Sequence, residues 1–197
     1  LQCENILGAM GPSGRLPGEM IRDNALMASG LLSKKIGGPS VKPYQPEGLW
    51  RVNGGNYQED SGENLYRRSL YTFWKRSVPH PTTHIFDVPD RSESIAVRQE
   101  TNTPLQALVL LNDPTFVEAA RVLGAEMATL TGSREAINQT FRKLTGRAAT
   151  DKELEILDAL LAQEYRKFRQ SPEKAKGWVE TGSYALSSTV DLPKLAS

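Results

Sequence analysis

The chain has little of what most enzyme chemistry needs. It has one cysteine, Cys3, and two histidines among 197 residues. A lone cysteine excludes an intrachain disulfide, and covalent haem, which needs C-x-x-C-H, is excluded too. The histidines, His80 and His84, stand four apart, a spacing that lets two imidazoles share a metal only on a helix. Pro79 and Pro81 argue against a helix there, so both read as solvated loop residues and no metal site is expected. There is no G-x-S-x-G, no P-loop and no dinucleotide glycine fingerprint. No apolar run approaches the ~18 residues of a membrane span. Net charge is +1, with no long basic run, which argues against nucleic acid and membrane surfaces as partners.

Helix punctuation, by contrast, is plentiful. TNTPLQALVLLNDPTFVEAAR, residues 101–121, carries two helix starts in succession, Thr103-Pro104 and Asp113-Pro114. Each places an N-cap side chain before a proline at the first helical position. Thr150 with Glu153 forms a capping box, Ser133 reads as an N-cap, and Ser171-Pro172 opens a last helix. The spacing predicts helices over 104–111, 114–131, 134–145, 151–170 and 172–179. Ile21, Ala25, Ala28 and Leu32 form one stripe of a helix over 17–36, stopped by Gly37, Gly38 and Pro39. Residues 39–64 are a long Pro/Gly-rich loop, a kind that is usually functional. LYRRSLYTFWKR, 65–76, has helical spacing and predicts a helix, with a strand as the competing reading of so aromatic a segment. Ile85-Phe86 and Ile95–Val97 are short β-like runs that either pair as a small ribbon or remain extended loop.

The fold class is therefore mainly α, an irregular helical domain with long loops. The expected organisation is a single domain over 1–197. It comprises a loop-rich half over 1–100 with helices near 17–36 and 65–76, a helical core over 101–179, and a tail over 180–197.

Candidate chemistry is sparse. Asn56, Glu59, Asp60 and Glu63 supply oxygen ligands in the long loop but lack the EF-hand spacing. Carboxylate pairs such as Glu19 with Asp23, or Asp87 with Asp90, are expected by chance among 23 acidic residues and reflect solvated helix faces. The strongest ligand candidate is the arginine–aromatic element, Arg67, Arg68, Tyr71 and Trp74, because guanidinium forks beside aromatic faces suit sulfated or carboxylated sugars.

RLPGEMIRDNALMASGLLSKKIGGPSVKPYQPEGLW (15–50), LYRRSLYTFWKR (65–76), FDVPDR (86–91), the 101–121 block and FRKLTGRAATDKEL (141–154) together resemble the planctomycete-specific cytochrome-associated domain, a family of unknown function. The resemblance implies the carboxy-terminal part of a large exported multidomain protein. Such proteins carry a c-type cytochrome module elsewhere and are encoded among sulfatase and polysaccharide-utilisation genes. It implies an extracytoplasmic location, and haem only in that separate module, none in this chain. Family members continue with a further apolar helix, so the 180–197 tail is expected to be cut short. The recognisable blocks add Arg22, Asp23, Asp87, Arg91, Asn102, Gln106 and Asn112 to the candidate ligand-binding residues. The functional expectation is a non-catalytic accessory module. It would dock to the other domains of the polypeptide, the cytochrome module included, or hold an anionic, sulfated polysaccharide. The alternative is an enzyme of polysaccharide breakdown in which Asp23 and Asp87 meet in a cleft.

Overall fold

The computed structural model describes residues 14–186 and Leu195. Cys3, the Gly-rich amino end and most of the tail beyond 186 lie outside the described residues. The order is α1 (Gly18–Ala28), α2 (Pro81–Ile85), α3 (Pro104–Asn112), α4 (Pro114–Ala128), α5 (Ser133–Thr145), α6 (Asp151–Gln170) and α7 (Pro172–Val179). Three 3₁₀ turns, Leu49–Asn53, Gly62–Tyr66 and Ser69–Tyr71, lie between α1 and α2. Among the described residues there are no strands beyond two isolated parallel bridges, Ser33 with Arg67 and Val41 with Thr72. The fold is mainly α.

The second half follows its local signals. The Asp113 carboxylate accepts from Thr115 N at 2.8 Å and opens α4 behind Pro114. Glu153 accepts from Thr150 N at 2.8 Å, closing the capping box of α6. Boundaries shift slightly: α3 runs one residue further than 111, and α4 ends at Ala128 instead of 131. Ser133 is the first residue of α5, not its cap, and Gly132 precedes it. The Ser133 hydroxyl instead donates to Asp158 of α6 at 2.8 Å.

The first half departs from its local signals. The helix expected over 17–36 is only Gly18–Ala28. Gly30 adopts φ +77°, a left-handed conformation that ends the helix. The chain then runs extended, and Leu31 returns to the core. That core gathers Leu26, Leu31, Leu65 and Tyr66, with Leu32, Tyr44 and Val122 packed against it. Leu26 is fully buried, which is worth about 1.5–3 kcal/mol of transfer free energy. α4 packs against α1, α3, α5 and α7. It carries Phe116 edge-to-face with Phe86, centroids 6.2 Å apart.

The helix expected over 65–76 does not form. Arg67 and Arg68 are extended, at ψ 154° and 143°. The carbonyls a helix would use are taken from outside. Arg22 of α1 donates to Leu65 O at 2.7 Å and to Arg67 O at 2.8 Å. The segment's N–H and C=O groups also pair with 33–41: Ser33 N donates to Tyr66 O, Val41 N to Tyr71 O, and Phe73 N to Val41 O. Of the two alternatives for the β-like runs at 85–86 and 95–97, the ribbon does not form among the described residues. Ile85 closes the short helix α2, and Ile95 and Val97 lie exposed in irregular chain. Pro81 sits at the first position of α2, where its missing N–H costs nothing. That places His84 on a helix, and His80 is buried rather than solvated.

Candidate functional site

The sequence-flagged residues fall into three separate groups. The first surrounds the α1 grip. Arg22 is 2% exposed and donates to the two carbonyls above and to Ser69 Oγ at 3.4 Å. Burial lowers the proton affinity of its guanidinium, and Asp23 and Asp113 oppose that. Asp23 accepts from both Ser69 N and Ser69 Oγ at 2.7 Å. The Arg67 guanidinium, also buried, donates to Pro39 O at 3.0 Å and to Lys35 O and Gly37 O. It stacks on Tyr71 at 3.9 Å, whose hydroxyl accepts from Gly37 N at 2.8 Å. Arg22 and Arg67 thus bind backbone, and Arg68 alone of the arginine pair is exposed.

The second group centres on Asp87, a non-glycine residue at φ +62°. Its carboxylate accepts from Thr101 N at 2.8 Å, Thr101 Oγ1 at 2.8 Å and Arg15 at 3.0 Å. Gln106 approaches at 3.5 Å and donates to Ile85 O at 2.9 Å. Burial pushes the Asp87 carboxyl up, but the bonds from Thr101, with Arg15 and Gln106, outweigh it and hold the group below the usual carboxylate range. The cavity beside it is about 50 Å³ and is lined by Arg15, Phe86 and Arg98 among others. Asp23 does not line it, and Asp23 and Asp87 bond to different partners.

The third group is Trp74 with Arg91. The indole donates to Asp90 O at 2.9 Å, and the guanidinium of Arg91, itself at φ +64°, lies 4.6 Å over the ring. Asn102 stands exposed by itself, and Asn112 turns back onto Leu108 O at 2.8 Å.

The loop carboxylates are similarly dispersed. Glu59 accepts from Gln45 N, Asp60 from Lys42 N and Glu63 from Ser33 Oγ. Among the described residues, no three His, Cys, Asp or Glu side chains gather as a metal would require. His80 bonds to Tyr44 O through Nε2 at 2.9 Å, while His84 is exposed, so the two form no ligand pair.

Sequence reasoning missed two features. One is a cavity of about 370 Å³ in the long loop, lined by Gln45, Glu47, Trp50, Tyr57, Gln58 and Glu59 among others. Its residues come from both ends of a chain reversal, so no local spacing announces it. The other is α3. Leu105, Leu108, Leu110 and Leu111 are 52%, 56%, 44% and 65% exposed, and the helix buries Gln106 instead. The signal was available: PLQALVLLN has leucines around most of its circumference and one amide, Gln106, before its terminal Asn112.

No helix among the described residues is long and apolar enough to cross a membrane. A family model described as PSD1, protein of unknown function (DUF1553), matches residues 1–161. No curated protein and no solved structure matches the chain.

Proposed function

We propose that this chain, which belongs to the PSD1 family of proteins of unknown function (DUF1553), is a non-catalytic docking module of a larger extracytoplasmic protein. Its partner is a neighbouring domain of the same polypeptide, the c-type cytochrome module in the arrangement that the family resemblance implies. Haem would reside in that module.

The observation that carries the reading is α3. A helix with leucine around most of its circumference is ordinarily enclosed on all sides. Here Leu105, Leu108 and Leu111, three residues apart, follow one outward stripe, while Gln106 faces in and bonds to Ile85 O. A contiguous apolar stripe without charge marks a protein-contact surface. Its base is rigid, because Asp113, which ends α3, caps α4 and accepts from Thr82 of α2. Arg67, the central cation of the arginine–aromatic element, is spent on backbone carbonyls, so the support for an anionic polysaccharide is weaker than the support for docking.

The test is hydrogen exchange on the chain alone and on the chain joined to its neighbouring domains. The expected result is slower exchange across 104–112 in the longer protein, abolished by Leu108→Glu/Leu111→Glu. Equal exchange in the two forms would overturn the reading.

A further inference from the structure

We infer that the cavity of the 45–59 loop binds a neutral polyhydroxylated ligand, a sugar residue. This site is independent of α3 and of the docking reading.

The volume comes first. A cavity of about 370 Å³ lies within the range of small-molecule sites. Its walls are preformed. Lys42 N donates to Asp60 Oδ2 at 2.8 Å, Asp60 N to Lys42 O at 2.9 Å, and Gln45 N to Glu59 Oε1 at 3.1 Å. The two sides of the loop are thereby laced together, and the Tyr57 hydroxyl ties to Pro43 O. Trp50 is held by Tyr57 edge-on at 5.0 Å and by Phe73 at 5.7 Å. Lys75 and Lys42 lie over its ring at 4.4 and 5.6 Å, which directs both ammonium groups to the indole face.

The polar groups define the ligand. Gln45 is 8% exposed, and its Nε2 has no partner. The indole Nε1 of Trp50 is likewise shielded and unpartnered. Native proteins seldom leave two such donors unmatched among the residues lining one cavity. Both ask for acceptors. The exposed lining mixes both kinds: the Glu47 and Glu59 carboxylates and the Gln58 amide oxygen accept, and the Arg51 guanidinium donates. An anion would satisfy the donors and Arg51 but would meet two carboxylates against that one guanidinium. A cation would suit the carboxylates but leave the donors empty. A hydroxyl group accepts and donates at once, and several on one ring match the whole set.

The experiment is an NMR titration of the three tryptophan indole N–H signals, with Trp50 assigned by its loss in Trp50→Phe. The probes are the neutral disaccharides cellobiose, maltose, lactose and chitobiose, with glucuronate and glucosamine as charged counterparts. The expected result is a saturable shift of the Trp50 signal with at least one neutral probe and none with the charged ones. Gln45→Leu, which removes one buried donor, is expected to weaken that binding about tenfold. Gln58→Ala, at an exposed wall position, provides the same reading should the first variant fail to fold. Absence of a saturable shift with every neutral probe overturns the inference. An equal response to a charged probe, or unchanged affinity in both variants, does so as well.

Discussion

Replacing Arg22 by methionine tests the idea that α1 organises the chain through its neighbour's backbone. Methionine keeps the length and apolar stem of arginine and deletes the guanidinium. The carbonyls of Leu65 and Arg67, held at 2.7 and 2.8 Å, then lose their donors inside the protein. Each stranded carbonyl costs about 1–3 kcal/mol, so the pair costs roughly 2–6 kcal/mol. Part of this is returned, because Arg22 itself sits in a site where burial opposes its charge and methionine does not incur that cost. The expected net loss is about 3 kcal/mol, a large share of a total stability of about 5–15 kcal/mol. With a urea slope of about 2 kcal/mol/M, the unfolding midpoint followed by circular dichroism falls by about 1.5 M. Arg22→Lys, which can reach only part of the set, lies between the two. Hydrogen exchange at 65–71 should rise selectively in both variants. A midpoint unchanged within about 0.3 M for Arg22→Met would show that the 65–71 path is held by other contacts, and the account of its non-helical course would fail.

Other outcomes follow from buried or strained positions. The His80 imidazole is pushed down to about 4, chiefly by burial. The unfolded chain therefore takes up this proton first as pH falls from 6.5. The stability contribution of neutral His80 is full above pH 6.5, declines through the interval and is gone below pH 4. The gap between wild type and His80→Gln in urea midpoints should narrow over that interval by the equivalent of about 3 kcal/mol; a constant gap would refute it. Gly182→Ala puts a Cβ into the Glu118 carboxylate at a φ of +90°, so a loss of about 2 kcal/mol or more in thermal or urea unfolding is expected. Thr150→Ala removes the reciprocal cap of α6 and should cost about 1 kcal/mol by the same assay. Leu108→Glu/Leu111→Glu, on the exposed side of α3, should leave the midpoint of the isolated chain within about 0.5 kcal/mol; a larger loss would mean that these leucines support the fold itself.

Legibility in the sequence tracked the range of the deciding interaction. α4 and α6 were readable because Asp113–Thr115 and Thr150–Glu153 are contacts between near neighbours. The 65–76 segment has helical spacing, yet its conformation is decided by Arg22, more than forty residues away. Gly30 cut α1 short where the apolar stripe ran on to Leu32, because a left-handed turn overrides periodicity. His80 looked solvated between prolines, but Pro81 starts a helix and Tyr44 O accepts the ring. Of the flagged candidates, Arg22, Asp23, Arg67 and Tyr71 proved close in space, as did Asp87 with Gln106, because long polar side chains among loops commonly bridge backbone. Nothing local distinguishes a guanidinium that binds a carbonyl from one that would bind a ligand. Gln45 and Trp50 were not read as a ligand pair for the converse reason, since an amide and an indole five residues apart in a loop carry no pattern.

Arg22 and Arg67 hold their neighbours by main-chain oxygens, which every residue type possesses. The path of 65–73 is thus insulated from the identity of its outward side chains. Arg68 and Leu70, both exposed, can be exchanged without touching the bonds that set the backbone, whereas Phe73 holds Trp50. Related chains should diverge freely at these two places while keeping Arg22 and Arg67. A library randomised at 68 and 70 should yield mostly folded members, so that this edge of the molecule can acquire new contacts while its framework stands still.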